Sequence, residues 1–336
     1  MFLAWRFWFA RLWRIERAVA FRLSRILVIR GGAIGDFILT VPALRLLREA
    51  FPSSHIQVLG YKHIVALAEM SRYANATRSI EYAPLSSFFS NGAQLPTELV
   101  TYFGSFQQVI SYLFDPDNIF AANLRQAGAR NLIVGSPKIT DQEHAARQLA
   151  RPLEQLALYL EDPAAILSPP APREPDSSLI AIHPGSGGEA KNWPLSRWIA
   201  VAEALLSADS NRRILLIGGE ADVARVDRLR AILPNEKVRC AQSLPLVELA
   251  ARLQNCSLFL GHDSGISHLA AAVGTPSILL FGPTDPAIWA PANQNVKVLR
   301  APDLTMNGIE TLQVLTAVGE FAMGQSGRKG PSHIMS

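Results

Sequence analysis

At 336 residues, with 49% hydrophobic and 18% charged side chains, the chain holds enough apolar material for two packed α/β domains and is excluded from the disordered class. Its formal charge of +4 is unevenly placed: the first 25 residues carry six arginines against Glu16, a net of +5, which leaves −1 for all the rest. A body that close to neutral argues against nucleic acid as its ligand.

The chain opens on MFLAWRFWFARLWRIERAVAFRLSR. At roughly 100° per residue the arginines 6, 11, 14, 17, 22 and 25 gather on one side, opposite Trp5, Trp8, Phe9, Leu12, Ile15, Val19 and Leu23. Charges recur too often for a membrane span or a signal-peptide core. Residues 1–25 are therefore expected to form an amphipathic helix on an anionic membrane surface, or else to pack the aromatic face on the protein or a partner. At Ile26-Leu27-Val28-Ile29 the pattern turns β-rich and apolar, as for a buried parallel strand. A helix is expected over 35–50, with further strands at 56–60, 108–111 and 132–135, so that residues 26–167 read as one βαβ array. Residues 83–105 read as a long loop. SPPAPREPDSS, residues 168–178, has four prolines and reads as a linker.

The pattern restarts at Leu179. Strands are expected at 179–182, 213–219, 258–261 and 277–281, and helices at 194–207, 221–233, 245–254 and 265–273. Residues 179–323 thus form a second Rossmann-like domain, and a tail over 324–336 is expected to be disordered. The fold class is α/β, two doubly wound domains facing a cleft, with ligands at the carboxyl ends of the strands. Cys240 and Cys256 offer neither metal-ligand spacing nor a disulfide framework, and their scarcity suits a reducing compartment.

Three strand-to-helix turns could carry chemistry. Gly31-Gly32-Ala33-Ile34-Gly35-Asp36 is glycine-rich, yet Arg30 stands where a dinucleotide fingerprint has its first glycine, and Gly60-Tyr61-Lys62 supplies no ribose acid. No G-K-[ST] exists for a P-loop. Asp36 is either a helix cap or a general base at the mouth of the cleft. The second turn, His183-Pro184-Gly185-Ser186-Gly187-Gly188-Glu189-Ala190-Lys191-Asn192-Trp193-Pro194, exposes backbone N–H groups that suit a pyrophosphate, with Lys191 as counter-charge. The third is Gly261-His262-Asp263-Ser264-Gly265-Ile266-Ser267-His268. A catalytic triad of Asp263, Ser264 and His268 is rejected, since triad members converge from separate segments and no nucleophile elbow is present. Phosphate oxygens suit Ser264 and His268 better, while a metal on His262, Asp263 and His268 is the weaker alternative. Asp115-Pro116-Asp117 imitates a D-x-D metal motif but reads as a rigid turn.

Together these turns resemble the ADP-heptose:lipopolysaccharide heptosyltransferase family, glycosyltransferase family 9. The matching stretches are ILVIRGGAIGDFILTVPALRLLR, IAIHPGSGGEAKNWP, LLIGGEAD and LGHDSGISHLAAAVGTPSILLFGPTDP, within about residues 26–322. The resemblance implies a GT-B fold and inverting transfer from an ADP-sugar co-substrate, with no metal or other cofactor. It also implies a saccharide or glycolipid acceptor and work on the cytoplasmic face of the inner membrane. By resemblance Asp36 is the base. Ser186, Gly187 and Lys191 hold phosphate, Glu220 the ribose, and Leu244 packs on adenine. Asp263, Ser264, Gly265 and His268 bind pyrophosphate and sugar. A same-family enzyme with another donor or acceptor is one alternative, and a catalytically idle membrane-peripheral nucleotide-binding module is another. The acceptor side departs from expectation, because no lysine or arginine lies between Arg78 and Arg125. With Glu81, Glu98, Asp115 and Asp117 beside Phe88, Phe89, Tyr102 and Phe106, that stretch suits an acceptor carrying little charge.

Overall fold

A computed structural model of the protein describes residues 24–170 and 174–326. Residues 1–23, nearly all of the stretch read as an amphipathic helix, lie outside them. The chain divides into two compact units between Pro163 and Ala164.

In the first unit, strands β1 (Arg25–Arg30), β2 (His55–Gly60), β3 (Ala76–Ser79), β4 (Gln108–Ser111) and β5 (Leu132–Val134) form one parallel sheet in the order β3-β2-β1-β4-β5. Ile26, Leu27, Val28 and Ile29 are all at most 1% exposed, which explains their unbroken apolar run: a central parallel strand is covered on both faces. The helices are α1 (Ile34–Ala50), α2 (Lys62–Met70), α3 (Thr97–Gly104), α4 (Ile119–Gln126) and α5 (Ala145–Ala150). Arg25 belongs to β1, paired in register with His55, and its guanidinium lies 4.7 Å above the Phe106 ring. It is therefore a strand residue and not the last arginine of a surface helix.

The expected loop over 83–105 is instead a 3₁₀ helix, Ala83–Phe89, followed by α3. Leu85 and Phe88, three apart, and Leu99 and Phe103, four apart, turn one apolar face inward onto Phe120 and Leu124. Phe88 and Phe106 are consequently core residues at 0% and 3% exposure, and they cannot face an acceptor. Of the four aromatics assigned to that face, Tyr102 is half-buried beneath the Arg78 guanidinium, and Phe89 alone is exposed.

In the second unit, β6 (Asp176–Ile182), β7 (Arg213–Gly218), β8 (Val238–Gln242), β9 (Cys256–His262), β10 (Ser277–Phe281) and β11 (Val296–Arg300) are again all parallel, in the order β11-β10-β9-β6-β7-β8. Its helices are α6 (Leu195–Ala208), α7 (Val223–Ile232), α8 (Leu246–Gln254), α9 (Gly265–Ala272), α10 (Pro286–Trp289) and α11 (Thr311–Ser326). The division before Ala164 precedes the stretch read as a linker. Residues 164–167 are tied to the second unit, Leu167 N–H donating to Ala272 O at 2.9 Å and Asn293 Nδ2 to Ala165 O at 2.7 Å. The linker stretch itself ends inside β6. Likewise α11 runs to Ser326, so residues 324–326, assigned to a disordered tail, are helical.

Both sheets reverse their winding beside the first strand of the unit, between β1 and β4 in one and between β6 and β9 in the other. In doubly wound sheets ligands bind at the carboxyl ends of strands at such switch points.

Candidate active site

At the switch point of the first sheet, β1 ends in Arg30, a buried guanidinium. Its Nε donates to Thr40 Oγ1 at 3.0 Å and to the Asp36 carbonyl at 3.3 Å, and its Nη1 donates to Tyr112 O at 3.5 Å. Burial lowers its pKa, and the charge of Asp36 pulls the other way. The Asp36 carboxylate lies 3.5 Å from Arg30 Nη2 and accepts the Ala33 N–H at 2.8 Å, while its side chain is 35% exposed. Asp36 is thus a first-turn cap of α1 held against a buried cation, and its unspent lone pairs face outward. Gly32 is required here. Its φ is +96°, and a Cβ would fall 2.6 Å from the Asp36 carboxylate. Asp115, first member of the D-x-D mimic, accepts the N–H groups of Phe120 and Ala121 at 3.1 and 2.8 Å, so it caps α4.

At the carboxyl edge of the second sheet the candidate donor residues fall in strand order. Ser186, Gly187 and Lys191 follow β6, Glu220 follows β7, and Leu244 follows β8. Asp263, Ser264, Gly265 and His268 follow β9. Ser186 Oγ lies 2.9 Å from both Gly188 O and Asn192 Oδ1, closing the loop on itself, and Gly187 stays exposed. Glu220 is exposed and Leu244 half-buried. Lys191 Nζ donates to Asp263 Oδ2 at 2.6 Å, pairing two candidates 72 residues apart. Ser264 is the N-cap of α9, accepting the Ser267 N–H at 3.3 Å, and His268 is buried in the first turn of α9.

Four residues outside the candidate set hold this edge together. Arg225 Nε donates to Pro184 O at 2.9 Å and its Nη2 to Trp193 O at 2.6 Å, clamping both ends of the glycine loop. His262, wholly buried, donates Nδ1–H to Gly185 O at 3.1 Å, while its Nε2 accepts from Trp193 N at 2.9 Å and Trp198 Nε1 at 3.3 Å. Both ring nitrogens are spent on protein partners, which leaves no lone pair for a metal. His183 Nε2 contacts Asp222 Oδ2 at 3.2 Å, and its Nδ1 contacts Ser264 Oγ at 3.3 Å. A serine, a histidine and an aspartate therefore do line up, but Ser264 is joined by His183 and Asp222 from other strand ends, not by its sequence neighbours. The legible signal for His183 and Asp222 is position alone: His183 follows the carboxyl end of β6, which flanks the switch point, and Asp222 that of the neighbouring β7.

Burial pushes His262 down from 6.5 to about 3; the Gly185 hydrogen bond opposes this, and the charges of His183 and Arg225 add to it. Between those values the unfolded chain binds the proton and the folded chain does not, so stability rises with pH up to about 6.5 and falls below it. Lowering the pH from 7 to 5 should cost about 2 kcal/mol at this residue. Urea denaturation across that range checks it: His262→Gln should be weaker throughout yet lose stability less steeply on acidification.

The chain matches the model of glycosyltransferase family 9 (heptosyltransferase) over residues 131–313, a span that takes in all nine donor candidates and leaves Asp36 outside. It is 32% identical over 127 residues to lipooligosaccharide heptosyltransferase 2 of Haemophilus influenzae, a stretch that spans 36% of each chain, or about a third of that relative. Among solved structures, the family 9 glycosyl transferase of Veillonella parvula DSM 2008 matches with a TM-score of 0.75 at 21% identity, over 90% of this chain and 98% of that one. The E. coli heptosyltransferase WaaC with ADP matches with a TM-score of 0.68 at 20% identity, over 88% and 99%. These likenesses show the fold, the paired Rossmann-like units of GT-B enzymes.

Proposed function

Because the chain belongs to glycosyltransferase family 9, the heptosyltransferase family, we propose that it moves a heptose or related sugar from an ADP-activated donor to a lipopolysaccharide-type saccharide acceptor. The observation that carries this reading is the strand-ordered set from Ser186 to His268 along one carboxyl edge, where a nucleotide diphosphate has backbone N–H groups, a hydroxyl and a lysine within one frame. Asp36 removes the proton from the acceptor hydroxyl as its oxygen displaces the diphosphate with inversion. Charge growing on the leaving group meets Lys191 and the amide end of α9. ADP bound to one of the matched heptosyltransferases supports the choice of base. Neither a metal nor a cofactor enters this scheme. The same reading keeps the enzyme on the inner face of an inner membrane through residues 1–23, which vesicles with and without anionic lipid would test against a chain lacking them.

Turnover and thermal shift across ADP-, UDP-, GDP- and CMP-sugars decide the donor; stabilisation without turnover would favour an idle nucleotide-binding module, and stabilisation by none of them would sink the reading. Lys191→Ala should weaken ADP binding roughly 10–100-fold, the worth of a charge-assisted phosphate contact. Part of that loss is indirect, because the variant bares the Asp263 carboxylate beside the phosphates. The double variant with Asp263→Asn should therefore recover some affinity, and calorimetry that found ADP affinity unchanged in Lys191→Ala would remove the lysine from the site.

A second reading of the acceptor has its own support. Tyr61, Tyr82 and Phe114 follow β2, β3 and β4 at the carboxyl edge of the first sheet, and they are 41%, 39% and 72% exposed. Lys62 adjoins Tyr61 and the Arg78 guanidinium lies 5.2 Å from the Tyr82 ring. No lysine or arginine occurs from 79 to 124, however, so that edge suits a weakly charged sugar, or one whose charges meet only Lys62, Arg72 or the N-terminal arginines. The acceptor Michaelis constant should then change little between about 0.05 and 0.5 M salt, where screening would weaken charge pairs. A steep rise points to a strongly anionic acceptor.

A further inference from the structure

We propose that binding of a nucleoside diphosphate at Ser264 draws one proton from solvent onto His183. This rests on the donor reading above and adds to it a device built by Ser264, His183 and Asp222. The three side chains come from the ends of β9, β6 and β7 and touch at 3.3 and 3.2 Å.

The donors and acceptors around His183 fix the protons. Asp222 accepts the Gly219 N–H at 3.0 Å and faces His183 Nε2. Burial works against its charge, but the hydrogen bonds from His183 and Gly219, with the charges of His183 and Arg225, outweigh it and hold the carboxyl below its ordinary range. An ionised Asp222 can only accept, so His183 Nε2 carries a proton. In a neutral imidazole Nδ1 is then bare, and the Ser264 hydroxyl, whose other acceptor is Ser267 Oγ at 3.1 Å, is the donor within reach of it. Ser267 cannot serve in its place, because its own hydroxyl proton goes to the His262 carbonyl. Ser264 also receives the Ser267 N–H.

A phosphate oxygen arriving at this cap needs the Ser264 proton, since an anion cannot donate one. Once the hydroxyl turns outward, a bare Nδ1 faces a serine lone pair at 3.3 Å with no hydrogen between them. A proton taken from solvent onto Nδ1 restores that bond. The product is an imidazolium held between the Asp222 carboxylate and, through Ser264, the diphosphate. One proton is consumed, and no covalent bond of protein or ligand is broken. The other groups around His183 do not replace this step. His262 has both nitrogens engaged, Arg225 is committed to the Pro184 and Trp193 carbonyls, and Lys191 and Asp263 pair on the adjoining loops. Ser264 is half-buried, which gives the enclosed imidazole a path to water.

The test is calorimetric titration of ADP into the full-length protein at pH 8, in two buffers of different ionisation enthalpy. The expected result is net proton uptake of at most one per ADP bound, with affinity rising by up to tenfold for each unit the pH falls toward about 7. His183→Gln and Ser264→Ala should still bind ADP, more weakly, with uptake near zero. ADP binding with no buffer-dependent heat in the native protein overturns the inference and leaves the donor reading standing. Unchanged uptake in His183→Gln, or in Ser264→Ala should the first variant not fold, also overturns it by placing the proton elsewhere. No binding of ADP at all brings down the donor reading itself.

Discussion

Replacing Asp36 with asparagine is expected to lower turnover by roughly 10²–10⁴-fold, the usual worth of a positioned base, while ADP affinity stays near native. The substitution separates two roles that the structure places on one side chain. As a cap, Asp36 accepts the Ala33 N–H, and an asparagine oxygen can do the same. As a base, it must take a proton, which an amide cannot. The loss of its 3.5 Å pairing with Arg30 should be mild, because that guanidinium keeps Thr40, the Asp36 carbonyl and Tyr112 O as acceptors. Thermal unfolding of the variant should therefore shift by no more than a few degrees, whereas single-turnover rates should collapse. Near-native turnover in Asp36→Asn would reduce the residue to a cap.

Trp198→Ala should destabilise the second unit by about 3–5 kcal/mol, the range for emptying a buried tryptophan site. Trp198 is fully buried and meets the Trp193 ring edge-on at 5.1 Å, while its Nε1–H donates to His262. His262 in turn holds Gly185 and Trp193 at the two ends of the glycine loop. Truncation should thus weaken ADP binding as well, although Trp198 lies in the core. Trp198→Phe keeps most of the volume and loses only the N–H, so it should recover most of the stability. Urea unfolding and ADP calorimetry on both variants check this, and an alanine variant with native stability would refute the packing argument.

The interior of each sheet was legible because residues between two helical layers must be apolar at every position. That is why the strands around Ile26, Val109, Ile180, Leu216, Phe259 and Leu279 stand out in the sequence. β3, β8 and β11 were missed for the opposite reason. ATRS, VRCAQ and VKVLR lie at the sheet edges, where β8 is buried at two positions and β3 and β11 at none, and charged residues intervene. Residues 83–105 misled differently: prolines and glycines there suggested a loop, while the i,i+3 and i,i+4 apolar pairs of two short helices were too brief to register as periodicity. For the site, motifs located the right turns but not their internal bonds. Nothing in the spacing of Lys191 and Asp263 announces a 2.6 Å pair, and His183 reads as part of a loop motif until the sheet order sets it beside Ser264 and Asp222.

Because every strand in each sheet runs the same way, the helices that follow them start along one edge, and their amide dipoles add there regardless of what the surface side chains are. Attraction for a phosphate is thereby written into backbone direction, not into the isoelectric point. Surface lysines and glutamates outside the phosphate loop of Lys191 can then be exchanged over evolutionary time, or by an engineer seeking solubility, with little effect on nucleotide affinity. A body whose net charge is −1 can still be a good host for an anion.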